Sequence, residues 1–363
     1  MLISPQIERI YLSFAHCCSL SSTWLRVLPR RQPQPQPCLA RILARPIQRL
    51  HRLLRLPHHL CRSLFPGPNA HIVSVNDAYS STFRCISRVA PTFQGLQSTF
   101  LNLKNATDEE ILGALWENTK LVWIESPMNP TRSVVDLGCH RAVVEGGKDD
   151  RAADRGADVV MGALILPEPT SSNQLEHAAN LRFLQNAMGA VPSPFDCFLA
   201  QRSAKTLALR VKTHGLSALA VARTLQSLGD NGEGVDEVVY PGLPGCTEES
   251  RRKNTLGWRM LSPHARQWIS ESVYPDRGLE SSDEPPAEGF PFSGMISVRL
   301  ATHLLSPWVE SLAEHPVAMT HGSISPAERE LLGIGEDLVR LSVGVEEEEA
   351  DLVADVRAAV GRS

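Results

Sequence analysis

The groups in this chain that could do covalent or metal chemistry are few. Lysines stand at 104, 120, 148, 205, 212 and 253. Lys148, in GGKDD, is a weak nucleophile by its surroundings, because Asp149 and Asp150 hold its ammonium charged where attack on a carbonyl needs the neutral amine. The eight cysteines, at 17, 18, 38, 61, 85, 139, 197 and 246, form no CxxC pair and read as ordinary thiols. His58, His59 and Cys61 could open a zinc site, yet no second cluster supplies the remaining ligands, so no metal is expected.

Four other residues have side chains suited to a small aromatic or anionic ligand. Tyr79 offers a flat ring on which a heteroaromatic group can stack, and Arg84 and Arg340 offer forks that pair with a carboxylate by two parallel hydrogen bonds. Asn129 lies in the turn SPMNP. By residue type alone, Tyr79 is a half-buried core aromatic, the two arginines are surface cations and Asn129 is a turn former.

The elements that must position them alternate in type. HIVSVNDAY, from residue 71, alternates like a strand that ends in turn residues, and Leu121 to Ile124 form a second short apolar strand. Between them Asp108–Asn118 starts with acids and repeats Ile111, Leu112 and Leu115 at helical spacing. Strand, helix and strand imply a parallel α/β layer, which binds ligands at the carboxyl ends of its strands, where Tyr79 and the turn at 126–130 should lie. Near the C-terminus Leu352, Val353, Val356 and Val360 mark a closing amphipathic helix.

Composition bounds the function classes. The length of 363 residues suits two domains. A chain 42% hydrophobic and 21% charged reads as globular, and a net charge of -4 gives no reason to expect a nucleic-acid partner. There is no uninterrupted apolar run of about 18 residues, so no membrane span is expected.

Residues 1–68 differ from the rest, with ten Arg, no Lys, no Asp and a single acid, Glu8. Residues 39–56 place Leu39, Ile42, Leu43, Ile47, Leu50, Leu53 and Leu54 near one helical face with arginines interleaved, as in a transit peptide. The Gln-Pro alternation at 32–37 and Pro46 count against that reading. The same bias also results from out-of-frame translation of GC-rich coding sequence, and both readings stand.

Beyond residue 68 the strings HIVSVNDAYSSTFRCISRVA, LVWIESPMNPTRSVVDL, LRFLQNAMGAVPSPFDCFLAQRSAKTLALRVKTH, VVYPGLPG, SGMISVRL, ESLAEHPVAMTHGSI and LLGIGEDLVRLSVGVEEEE occur in order. Together they resemble segments of the pyridoxal-phosphate (PLP) dependent transsulfuration enzymes, the cystathionine γ-lyases and synthases. SPHARQWI and EGFPFSGM are similar to the fungal lyases. The resemblance implies a type I PLP-dependent α/β fold with a mostly parallel sheet and a smaller C-terminal α/β domain. It implies a tetrameric homo-oligomer in the cytoplasm, or in mitochondria if the leader is a transit peptide. It also implies γ-elimination of cystathionine to cysteine, ammonia and 2-oxobutanoate, and does not separate lyase from synthase. In its terms Tyr79 stacks on the cofactor, Asn129 lies beside the cofactor and the substrate carboxylate, Arg84 serves the distal carboxylate and Arg340 clamps the α-carboxylate.

The departures from the family pattern concern the reaction centre. After VVDL the family carries an aspartate for the pyridine nitrogen and a Ser-x-Thr-Lys segment with the Schiff-base lysine. Residues 137–158 here read LGCHRAVVEGGKDDRAADRGAD, and so short a stretch cannot supply the expected βαβ unit of roughly 30 residues. The sheet is therefore expected to be truncated and to lose its centre, with Lys148 the nearest replacement amine. The phosphate-binding turn and Tyr-Ser-Arg segment are replaced by the Arg-rich leader, and a Ser-Leu-Gly-Gly turn is missing before ESLAEHP. We expect domains at 69–232 and 233–363, with a polar insert near 276–286. Two functional readings follow: a carbon-sulfur lyase, or a catalytically inactive relative or degraded gene product, open to a role as a non-catalytic partner of intact subunits.

Overall fold

The computed structural model of the chain describes residues 9–13, 53–54, 67–78, 80–103, 106–132, 134–135, 148–153, 162–165, 172–187, 189, 193–245, 247–275, 284–301, 312–319, 321–322, 326–345 and 349–360. The described chain forms two compact units. Of the described residues, the first holds those of 9–126 and 135–205, and the second those of 127–134 and 206–360.

The first unit holds the strands β1 (Arg9–Ser13), β2 (Leu53–Leu54), β3 (His71–Val75), β4 (Gln97–Leu101), β5 (Thr119–Glu125), β6 (Lys148–Ala153) and β7 (Gly162–Ile165). Its helices are α1 (Ser80–Arg84), α2 (Ala90–Gln94), α3 (Asp108–Gly113) and α4 (Ser172–Ala187), with a π-helical turn, Cys85–Val89, between α1 and α2. The strands pair in the order β2-β7-β6-β1-β5-β3-β4. The pairs β1/β5, β1/β6, β3/β4 and β3/β5 are parallel, and only β2/β7 and β6/β7 are antiparallel. The expected mostly parallel sheet is present.

Its centre departs from expectation. In place of a gap beside β5 stands β1, drawn from the Arg-rich segment, with β6 on its other side. A strand edge with unpaired N–H and C=O groups is a template for another strand, and here the apolar-centred segment RIYLS and the polar segment KDDRAA complete the ladder. β2 comes from the same Arg-rich segment. The rest of the helix expected over 39–56 lies outside the described residues.

The middle of the sheet follows directly from the sequence. Every residue of β3 is buried, as in a parallel strand covered on both faces. Its one polar ring, His71, is satisfied by Thr119 Oγ1 at 2.8 Å and Thr99 Oγ1 at 2.9 Å. α3 opens on a capping box, Thr107 with Glu110. It ends at Gly113, five residues short of the expected Asn118, because the backbone tightens there and Trp116 N–H turns to Thr119 Oγ1 at 2.7 Å.

The second unit receives the chain within the long helix α5 (Pro194–Asp230), of which residues from Thr206 belong to it. It continues with β8 (Val235–Val239), α6 (Glu248–Met260), α7 (Pro263–Trp268), β9 (Met295–Leu300), β10 (Leu312–Glu314), α8 (Pro326–Leu331), β11 (Leu338–Ser342) and α9 (Glu349–Val360). The sheet is antiparallel in the order β10-β11-β9-β8. One face carries Ile296 and Val298 of β9 and Val339 and Leu341 of β11 into a core with Leu225, Trp258, Phe290, Leu352 and Val356. Leu352, Val356 and Val360 of α9 are buried, as the helical spacing predicts. Of the polar insert, 276–283 lie outside the described residues, while Pro286 is buried and accepts Gly289 N–H at 2.9 Å.

Candidate active site

Side chains alternate across a strand, so the residues between those core positions face the other side of the second unit's sheet. On β11 this places Arg340 opposite the core, between Val339 and Leu341. Directly across from Arg340 stand Ser297 on β9 and Glu314 on β10. A polar row, Ser297, Arg340 and Glu314, thus runs across three neighbouring strands. All three are buried.

The turn at 127–134 of the same unit covers this row. Ser297 Oγ donates to the Pro130 carbonyl. Arg340 Nη1 donates to Asn129 Oδ1 at 2.8 Å, and Arg340 Nη2 pairs with the Glu314 carboxylate. The turn is shaped by a cis Asn129–Pro130 peptide and by the Arg132 N–H, which donates to the Met128 carbonyl at 2.9 Å. Arg132 itself is 1% exposed with a left-handed φ of 54°, a conformation costing a non-glycine residue about 1–2 kcal/mol. Its Nη2 donates to Asn129 Oδ1 at 3.0 Å.

His321 supports the turn from another side, donating a ring N–H to the Asn129 backbone carbonyl. Burial pushes its pKa down to about 4, so the imidazole is neutral at pH 7. Its loop is held by His321 N–H to the Pro316 carbonyl at 2.8 Å and by Arg329 Nη1 to the Val317 carbonyl at 3.1 Å.

Asn129 is therefore gripped at its side-chain oxygen by two guanidiniums and at its backbone carbonyl by an imidazole. Its amide nitrogen Nδ2 is buried and has no hydrogen-bond partner. A buried donor left open is costly unless something accepts from it. The arrangement can offer a donor and a neighbouring guanidinium to an anionic oxygen, the chemistry of a carboxylate or of a phenolate on a cofactor ring.

Of the residues singled out from the sequence, Asn129 and Arg340 are brought together. Arg340 is no surface cation but 7% exposed, because the turn lies over its strand face. Arg84 is an exposed residue at the end of α1 in the first unit. Lys148 opens β6, opposite Arg9 of β1. Tyr79 and the cluster His58, His59 and Cys61 lie outside the described residues. Among the other lysines, Lys253 pairs with Glu249 at 3.2 Å, and Lys212 sits 4.7 Å from the centre of the Trp268 ring with its pKa lowered by burial. Among the described residues no three His, Cys, Asp or Glu side chains gather as a metal site, and no helix is long and apolar enough to cross a membrane.

Arg132, Glu314 and His321 were not singled out from the sequence. Glu314 and His321 sit in the quoted string ESLAEHPVAMTHGSI, but nothing in residue type or spacing marks them as buried. The row that Glu314 joins exists only once β10 and β11 are in register.

Known proteins with this architecture are consistent in kind. The chain matches the Cys/Met metabolism PLP-dependent enzymes over residues 59–148, 156–270 and 295–361. It is 32% identical to a cystathionine gamma-lyase of Dictyostelium discoideum over 314 residues, 80% of this chain and 75% of that one. To the cystathionine gamma-lyase of Mus musculus it is 35% identical over 308 residues, 78% of this chain and 71% of that one. Among solved structures, metB of Corynebacterium glutamicum superimposes with a TM-score of 0.64 at 27% identity, covering 88% of this chain and 83% of that one. The unpartnered Asn129 Nδ2 and the Arg340 guanidinium suit an anionic oxygen by their chemistry. The chain belongs to the Cys/Met metabolism PLP-dependent enzyme family and carries its mixed α/β fold with a mostly parallel sheet.

Proposed function

We propose that this protein is a PLP-dependent carbon-sulfur lyase of transsulfuration, converting cystathionine and water to cysteine, ammonia and 2-oxobutanoate. The observation that carries the reading is the 2.8 Å bond between Arg340 and Asn129, residues 211 positions apart that the family resemblance assigns to the substrate carboxylate and the cofactor. PLP, when bound, withdraws electrons from the substrate's α and β carbons.

The chain's own residues then bind and orient. Arg340 holds the α-carboxylate, and Asn129 Nδ2 donates to an anionic oxygen beside it. Burial of the row excludes water and strengthens both contacts. Neutral His321 holds the Asn129 backbone and adds no charge. In this reading Tyr79 stacks on the cofactor ring and Arg84 meets the distal carboxylate, while no lysine stands out as the amine that would hold the cofactor and Lys148, beside Asp149 and Asp150, is only a weak candidate. The working unit is a homo-oligomer in the cytoplasm.

The test is to add PLP to the purified chain, record its visible absorbance, reduce with borohydride and locate the labelled lysine by mass spectrometry. A visible band, a label on one lysine, which the mass spectrum then names, and release of 2-oxobutanoate from cystathionine are expected. A folded chain that shows no band, label or product overturns the lyase reading and leaves a non-catalytic relative.

A further inference from the structure

Arg132 is buried in a backbone conformation unfavourable to any residue with a Cβ, and its guanidinium reaches the one side chain at the centre of the site. Guanidinium groups carry donors only, so they settle which end of an amide they touch. Arg132 Nη2 at 3.0 Å and Arg340 Nη1 at 2.8 Å both meet Asn129 Oδ1, which leaves Nδ2 as the buried donor without a hydrogen-bond partner.

The two arginines are not equivalent. Arg340 also serves Glu314 through Nη2, so a ligand carboxylate that takes Arg340 end-on through Nη1 and Nη2 competes with Asn129 for Nη1. Arg132 is then the donor that keeps Oδ1 turned inward. We infer that Arg132 is a positioning residue, which holds the Asn129 amide in its donating orientation when Arg340 turns to the substrate carboxylate. The inference rests on the lyase reading above. It adds a residue that selects for an anionic oxygen over a neutral one.

The experiment is calorimetric titration of the full chain with L-norvaline, which has a carboxylate and no sulfur leaving group, and with L-norvalinamide. The wild-type chain should prefer the carboxylate. Arg132→Met should weaken L-norvaline by about tenfold and L-norvalinamide by less than about threefold, the loss of one charge-assisted contact felt by one ligand only. Arg132→Lys, which keeps a cationic donor, should restore most of the preference. Arg132→Gly removes the guanidinium while suiting the left-handed backbone, and serves if the Met variant does not fold. Equal weakening of both ligands, or an unchanged preference in a folded variant, overturns the inference and leaves the lyase reading intact. A wild-type chain that does not distinguish the ligands overturns the carboxylate site and the lyase reading with it.

Discussion

Glu314 and Arg340 stand directly opposite each other on β10 and β11 and form a salt bridge whose side chains are 3% and 8% exposed. The carboxylate neutralises a cation that burial would otherwise make very costly, and it leaves Arg340 able to reach Asn129 with its other nitrogen.

Removing Glu314 should therefore be severe. Glu314→Ala leaves a buried guanidinium without its counter-charge and should lower stability by about 3–5 kcal/mol. Glu314→Gln keeps the shape and a hydrogen-bonding oxygen and should lose about 1–3 kcal/mol. Urea unfolding followed by circular dichroism orders the two, and equal losses would refute the pairing.

Arg340 should matter to binding as well as to stability, since its loss also leaves the Glu314 carboxylate buried without its counter-charge. Arg340→Met removes charge-assisted hydrogen bonds worth about 1.5–3 kcal/mol to a bound carboxylate, so affinity for an amino acid should fall roughly ten- to hundredfold. Titration with L-norvaline measures it. An unchanged dissociation constant would remove Arg340 from the site.

Acid should destabilise both units through buried histidines. His71 and His321 are each lowered by burial from 6.5 to about 4. The unfolded chain then binds more protons than the folded one between those values, so stability is whole above about pH 6.5 and declines as the pH falls toward 4. The ceiling is roughly 3 kcal/mol for each histidine. Melting temperatures across that window should drop less in His321→Gln than in the wild type, and parallel curves would show that His321 does not titrate there.

The second unit's core has a centre that can be struck directly. Trp258 is fully buried and meets Phe290 edge-on with ring centroids 5.1 Å apart. Trp258→Ala should cost about 3–5 kcal/mol. A thermal melt of the variant that overlays the wild type would contradict the packing.

The elements were largely legible because their signals are local. Alternation over HIVSV, the acids and apolar spacing of 108–115, and the spacing of Leu352, Val356 and Val360 each need only neighbouring residues to be read. Asn129 and Arg340 were legible through resemblance, since residue type alone makes one a turn former and the other a surface cation.

What the sequence by itself determined is the family and the alternation of strand and helix. Tertiary structure alone decided that β1 of the Arg-rich segment lies beside β5, because an open strand edge accepts whichever segment can reach it. It also decided the row of Ser297, Arg340 and Glu314 and the grip of Arg132 and His321 on Asn129. Those contacts depend on strand register and on a turn laid over a sheet face. Pairing across a sheet joins residues remote in the chain, so no local pattern encodes which of them will meet.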